Sequence, residues 1–450
     1  MLTLSISIHS MPNARLLLAT LLITASAHAE KMSWLANDRL KLGVDLDLGG
    51  AITFLASTND GANVINNYDL GRQVQLSFFS GPVPFEAHGQ KPSEHWRHIG
   101  WNPIQTGDDF KNASRILTHE NDGRRIHLSC IPLQWPLNNV PGECTFDSWL
   151  ELDGAVVKAR ARLTNKRTDT TQYTARLQEL PAVYANAAFP RVVSYTGARP
   201  FTSDAVSIIP KSESKHPWTF WTGTEGWAAL LDEKDHGLGL ITPGRVHFTG
   251  GFAGRPGPND THGNSTGYLA GQALEILDHN IVYEFQYELM VGTVQEIRAR
   301  AATHRPQGPP AWNFMRDRQG WHYQNAHDTG WPVQDHLHML LDQDDSQFIS
   351  PLTFWPASDA PALVIDAAFK TAQKQGVVML QPHGAKSFDS KTVVSFPLVA
   401  DGGFHRHVIP LSALPAYQGA MVRLRIDPVG KAEPGAWMKV RSVRFEAASK

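Results

Sequence analysis

Residues 153–163, Asp153-Gly154-Ala155-Val156-Val157-Lys158-Ala159-Arg160-Ala161-Arg162-Leu163, decide the fold class. Asp-Gly is a tight-turn dipeptide, because glycine takes the positive φ that a two-residue hairpin loop requires. Beyond it Val157, Ala159, Ala161 and Leu163 alternate with Lys158, Arg160 and Arg162. Period two places one set on a buried face and the other in water, the mark of an antiparallel strand. The same pattern recurs at Leu42, Val44, Leu46 and Leu48, at Val74, Leu76 and Phe78, and at Tyr283, Phe285, Tyr287 and Leu289. Turn signals at Asn59-Asp60-Gly61, Asp122-Gly123 and His236-Gly237 separate these runs. The chain is therefore expected to be all-β: a large antiparallel β-supersandwich followed by a smaller β-sandwich or jelly roll.

Helical signals are few. Thr293-Val294-Gln295-Glu296 has the spacing of a capping box and precedes Ile297, Arg298 and Ala301. His304-Arg305-Pro306-Gln307-Gly308-Pro309-Pro310 follows, a stiff stretch that reads as a linker. The expected division is a supersandwich over 30–303, a linker over 304–311 and a second module over 312–450. The 450 residues are more than one ordinary core needs.

At the N-terminus Arg15 precedes the apolar run Leu16 to Ala27, and Ala27-His28-Ala29 has the small-x-small pattern of a secretory cleavage site. A signal peptide over 1–29, starting at Met1 or Met11, and an exported protein with no membrane span in its mature form are the expectation. In an oxidising compartment Cys130 and Cys144, the two cysteines of the sequence, are expected to form a disulfide. The 41 basic and 43 acidic side chains nearly cancel, which argues against a nucleic-acid partner. No spacing matches a metal or cofactor motif, so none is expected. Oligomeric state is open.

Trp312-Asn313-Phe314, Gly320-Trp321, the run from Asp401 to Val408 and Arg423-Leu424-Arg425-Ile426-Asp427-Pro428 resemble the jelly-roll carbohydrate-binding-type domains of secreted polysaccharide-processing proteins. Leu48-Gly49-Gly50-Ala51-Ile52, Glu225-Gly226-Trp227-Ala228-Ala229-Leu230 and Gly237-Leu238-Gly239-Leu240 resemble the galactose-mutarotase-type supersandwich of sugar epimerases and several glycosidases and lyases. These are likenesses of strand pattern, and they assign no catalytic residue. They imply a carbohydrate partner, which the 13 tryptophans also suit.

Glu179 shares the parity of Tyr173, Ala175 and Leu177, with Pro181 just beyond it. A carboxyl at the inner end of a strand is partly desolvated and holds its proton, as an acid that protonates a departing glycosidic oxygen must. The alternative is a strand-end glutamate paired with Arg176 or Arg191. Glu225 shares the parity of Trp227 and Ala229, and either supplies the second carboxylate or caps a turn. Asp108 is a third candidate. It follows a loop that contains Trp96, His98 and Trp101. Arg72, Gln75, His98, Trp96, Trp101, Tyr184 and Trp227 are the expected substrate-binding residues, or else ordinary core and outer-face positions. The function expected is that of a secreted glycoside hydrolase. A non-catalytic glycan-binding or polysaccharide-assembly protein is one alternative, and a polysaccharide lyase, with a base such as Tyr184 near Arg191, another.

Overall fold

Val157, Ala159, Ala161 and Leu163 all lie in one buried core, as their alternation requires. Their strand, Val156–Asn165, pairs antiparallel with Cys144–Asp153 on one side and Val282–Thr293 on the other. The computed structural model describes residues 31–213 and 217–447. The expected signal peptide falls outside these residues. No helix among them is long and apolar enough to cross a membrane.

Two large antiparallel sheets, of ten and nine strands among the described residues, enclose this first core. The ten-stranded sheet runs from Met32–Ala36 at one edge through Val74–Ser77, Arg176–Ala185, Thr266–Glu275 and His247–Ala253 to Thr219–Thr222. The nine-stranded sheet holds Arg191–Ser194, Trp227–Leu231, His236–Ile241 and the long strands of the first hairpin. Consecutive strands pair in both sheets, but junctions such as Val74–Ser77 beside Arg176–Ala185, and Val156–Asn165 beside Val282–Thr293, join distant parts of the chain.

The helix Val294–Ala302 begins where its capping box predicts. The Thr293 side chain accepts from the Glu296 amide, and the Glu296 carboxylate accepts from the Thr293 amide at 2.8 Å. Val294, Ile297 and Ala301 turn inward against Trp227, Ala229, Leu231 and Ile241, forming a second core on the outer face of the nine-stranded sheet. After an irregular stretch, strands from Ala311–Asn313 to Trp437–Glu446 build two sheets, each of six strands among the described residues, around a third core. The chain is thus a supersandwich followed by a smaller sandwich.

The disulfide expectation is corrected: Cys130 and Cys144 are free thiols, both buried. Cys130 stands opposite Phe146, so Cys144 is its diagonal neighbour, two positions along the partner strand. Diagonal neighbours on paired strands have Cα atoms about 7–8 Å apart. A disulfide needs roughly 4.4–6.8 Å. Burial pushes both thiols well above the usual cysteine range, which keeps them protonated.

A buried ionic cluster joins the two sandwiches. Arg318 of the second sandwich reaches Asp278 of the first and Asp328 of its own module, each at 2.6 Å. Gln172 donates to Asp278 at 3.0 Å and to Asp328 at 2.7 Å, so both carboxylates share a neutral bridge as well as a cation.

Candidate functional site

The strand Arg176–Ala185 changes register between Glu179 and Ala182. Leu180 and Pro181 together oppose the single Gly271 that lies between Ala270 and Gln272. Proline has no amide to donate, and an extra residue bends a strand and re-aims its side chains. Leu180 and Val183 point into the inter-sheet core, so Glu179, Ala182 and Tyr184 share the opposite, outer face. Without the bulge, Glu179 and Tyr184 would lie on opposite sides.

The outer face carries an aromatic group. Tyr184 and Tyr268 stand with ring centres 4.7 Å apart, and Trp218 packs 4.9 Å from Tyr268. The Tyr268 hydroxyl donates to Glu179 Oε1 at 2.5 Å. Glu179 lies deep among protein atoms yet keeps partial contact with solvent. Burial raises its pKa, and hydrogen bonds from Tyr268 and Ser77 pull it only partly back. The phenols of Tyr184 and Tyr268 are pushed far up, first by burial and then by the Glu179 charge, so both remain protonated donors.

Strand register extends this site across the sheet. Ser77 and Gln272 are the Cα partners of Glu179, and Thr222 is the partner of His247. Phe248 pairs with Gly271, so the same register sets His247 beside Gln272. Ser77, Glu179, Gln272, His247 and Thr222 therefore form one row. Glu179 and His247 are two strand spacings apart, about 10 Å between backbones. His247 is held neutral, its pKa lowered to about 4 by burial and then by the charge of Arg423.

Beyond Gln272 and His247 the second sandwich closes over a cleft of about 880 Å³. Its wall includes Glu275, Tyr283 and Arg245 from the first sandwich, and His322 and Arg423 from the second. The Tyr283 hydroxyl donates to Glu275 Oε1 at 2.9 Å and accepts from Arg245 at 3.2 Å. Burial pushes the Glu275 pKa up to about 7, against the opposing charge of Arg245. Gly320 approaches with φ +77°, and a Cβ there would stand 3.8 Å from Glu275 Oε1.

No protein-family model matches the chain, and no curated protein does. Among solved structures it is similar to a provisionally named aldose 1-epimerase of Escherichia coli K12, at 14% identity and TM-score 0.39, covering 59% of this chain and 100% of that one. A galactose mutarotase-like protein of Lactobacillus casei matches at 12% identity and TM-score 0.35, over 58% of this chain and 99% of that one. Another, from Clostridium acetobutylicum, matches at 9% and 0.37, over 59% and 96%. No family membership follows. The fold assignment rests on the strand order of this chain.

The candidates from the sequence separate into two sets. Glu179 and Tyr184 belong to the row and its aromatic group. Gln75 shares their face but is buried, its side-chain oxygen taken by the Thr106 hydroxyl at 2.6 Å. Arg72 lies near Tyr184, donates to the Asn264 carbonyl at 2.5 Å and pairs with Asp69 at 3.2 Å. The others stand apart from this row. Trp101 and Trp227 are fully buried and offer no ring face to a ligand. Glu225 points to the helix-covered side of the nine-stranded sheet, where Arg298 grips it at 2.8 and 2.9 Å. The Trp227 indole and the Phe201 amide complete its hydrogen bonds. Asp108 organises its loop by accepting from the amides of Phe110, Asn112 and Asn139. Trp96 donates to Asp109 at 2.7 Å, and His98 is an exposed loop residue.

Trp218, His247, Tyr268, Glu275 and His322 were not singled out from the sequence, and Arg423 was quoted only for its strand pattern. Parity alone would have joined Tyr268 to Ala270 and Gln272. Nothing local joins either to Glu179. Among the described residues no three His, Cys, Asp or Glu side chains cluster as a metal site would require.

Proposed function

We propose that this chain is an exported carbohydrate-processing protein that performs acid–base chemistry at a sugar's anomeric carbon. The observation that carries the reading is the row Glu179–Gln272–His247 beside the partly exposed rings of Tyr184 and Trp218, with the buried Tyr268 holding Glu179 from below. Aromatic faces hold sugar rings, and a carboxyl with a raised pKa keeps a proton to give.

In the hydrolytic form of this reading, Glu179 delivers its proton to the glycosidic oxygen as the bond from the anomeric carbon breaks. Water adds to that carbon from the far side, and neutral His247 takes the proton that the water loses. The two groups stand about 10 Å apart at the backbone, with Gln272 between them in the row. Glu179 remains from the carboxylate pair expected at first, and His247 replaces Glu225. The second sandwich braces the site and walls the adjoining cleft.

A non-catalytic glycan-binding role is the second reading, favoured by the aromatic group, which binds sugar with or without turnover. A glycan panel separates the two. Release of reducing ends by the native protein, lost in both E179Q and H247N, supports hydrolysis. No release, together with glycan binding that W218A weakens, supports the binding role. An unsaturated product absorbing in the ultraviolet replaces both with a lyase.

A further inference from the structure

The cleft between the sandwiches holds a charge that the fold does not neutralise. Arg423 lies on the strand Ala420–Val429, whose Leu424 and Ile426 fill the second sandwich's core. Alternation sends Arg423, Arg425 and Asp427 to the opposite face. Arg425 is satisfied there, with Asp427 at 2.5 Å and Asp345 at 3.0 Å. Arg423 is not. Among the described residues its guanidinium makes no hydrogen bond or ion pair, and its Nε is sealed from solvent.

Of the carboxylates that line the cleft, Asp317 accepts from the Gln319 amide and Glu284 pairs with Arg162 at 2.6 Å, while burial alone shifts Arg423. His247 and His322, the titratable groups that feel Arg423, are both held neutral by burial and by its charge. Arg318 is consumed by Asp278 and Asp328, while Glu275 faces Arg245 and Arg318 instead. Arg423 is half-buried, and a cation partly stripped of water with no anion beside it is costly. Its planar fork of donors matches an oxyanion, and neutral imidazoles beside it can donate further hydrogen bonds.

We infer that Arg423, flanked by His247 and His322, is an anion subsite that takes an acidic group carried by a sugar. That the anion belongs to a sugar rests on the proposed function. His247 and Gln272 belong both to the cleft wall and to the Glu179 row, so a glycan lying across the row enters the cleft. The volume of about 880 Å³ lies within the range of small-molecule sites. A uronate carboxylate and a sulfate ester share the required chemistry.

The test titrates the full chain calorimetrically with a tetragalacturonate, a sulfated carrageenan tetrasaccharide and uncharged cellotetraose. The native protein is expected to bind one acidic glycan at least tenfold more tightly than the uncharged one, with the advantage shrinking in salt. The tighter acidic ligand identifies the source of the anion. R423Q is expected to erase the preference and leave cellotetraose binding unchanged, and R423K to keep part of it. R423Q should also raise the Tm of the free protein, which separates lost binding from lost folding. Unchanged acidic preference in a folded R423Q overturns the inference. E179Q is expected to lose turnover and keep the preference, so the two claims fail separately. Should no glycan bind, inorganic sulfate is titrated while the His247 and His322 ring resonances are followed by NMR. Shifts present in the native protein and absent in R423Q uphold the anion site and remove the sugar. No shift in either removes the site.

Discussion

Replacing Glu275 by glutamine should stabilise the protein at alkaline pH and leave it almost unchanged in acid. The Glu275 carboxyl is buried at the end of the strand Thr266–Glu275, with a pKa pushed up from 4.5 to about 7. An unfolded chain binds this proton only below 4.5, whereas the folded chain holds it to about 7. Stability from this residue is therefore complete below 4.5 and is lost as pH rises through about 7. At about 1.4 kcal/mol per pH unit, the loss amounts to roughly 3 kcal/mol. Glutamine is neutral throughout and still offers an oxygen to the Tyr283 hydroxyl. Urea unfolding of native protein and E275Q at pH 4.5 and pH 8.5 reads the effect. The variant should match the native chain at the lower pH and exceed it by up to roughly 3 kcal/mol at the higher. A difference that does not change with pH refutes the burial argument. A variant that is less stable at pH 8.5 shows that Glu275 is held ionised by Arg245.

Other predictions address the ionic and thiol chemistry. R298A strands the buried Glu225 carboxylate and should cost about 3–5 kcal/mol in chemical unfolding; a cost below about 1 kcal/mol would mark the pair as solvated. R318A leaves Asp278 and Asp328 facing each other without their cation, and should convert one unfolding transition into two as the sandwiches part. A single unshifted transition contradicts the joining role. Reducing agent should leave Tm unchanged, whereas a disulfide between Cys130 and Cys144 would lose about 3 kcal/mol on reduction. If the native protein turns over a glycan, its activity should rise as His247 loses its proton near pH 4 and fall as Glu179 loses its own above the usual carboxylate range. Activity that keeps rising as Glu179 ionises is incompatible with its role as the proton donor.

Much of the architecture was legible because alternation is a local property. Val157 to Leu163 show a buried face within seven residues, and the Thr293–Glu296 capping box marks a helix start within four. Glu179 was picked out by parity with Tyr173, Ala175 and Leu177, of which the first two precede the strand Arg176–Ala185. Parity nonetheless cannot tell one apolar face from another. Glu225 and Trp227 do share a buried side, but that side lies beneath the helix Val294–Ala302. The bulge at Leu180 and Pro181, which puts Glu179 and Tyr184 on one face, leaves only a proline as its trace. The Ser77, Glu179, Gln272 and His247 row joins four distant segments, and no short-range pattern encodes such pairing. Cysteine spacing likewise carried no information on register, so two diagonal thiols looked like a bridge.

The central claim is that Glu179 gives up a proton to a bound sugar, and single-turnover kinetics of E179Q test it most directly. With a cleaved glycan in hand, E179Q should bind it with native affinity and cleave it at least about 100-fold more slowly. Cleavage by E179Q at the native rate contradicts the account.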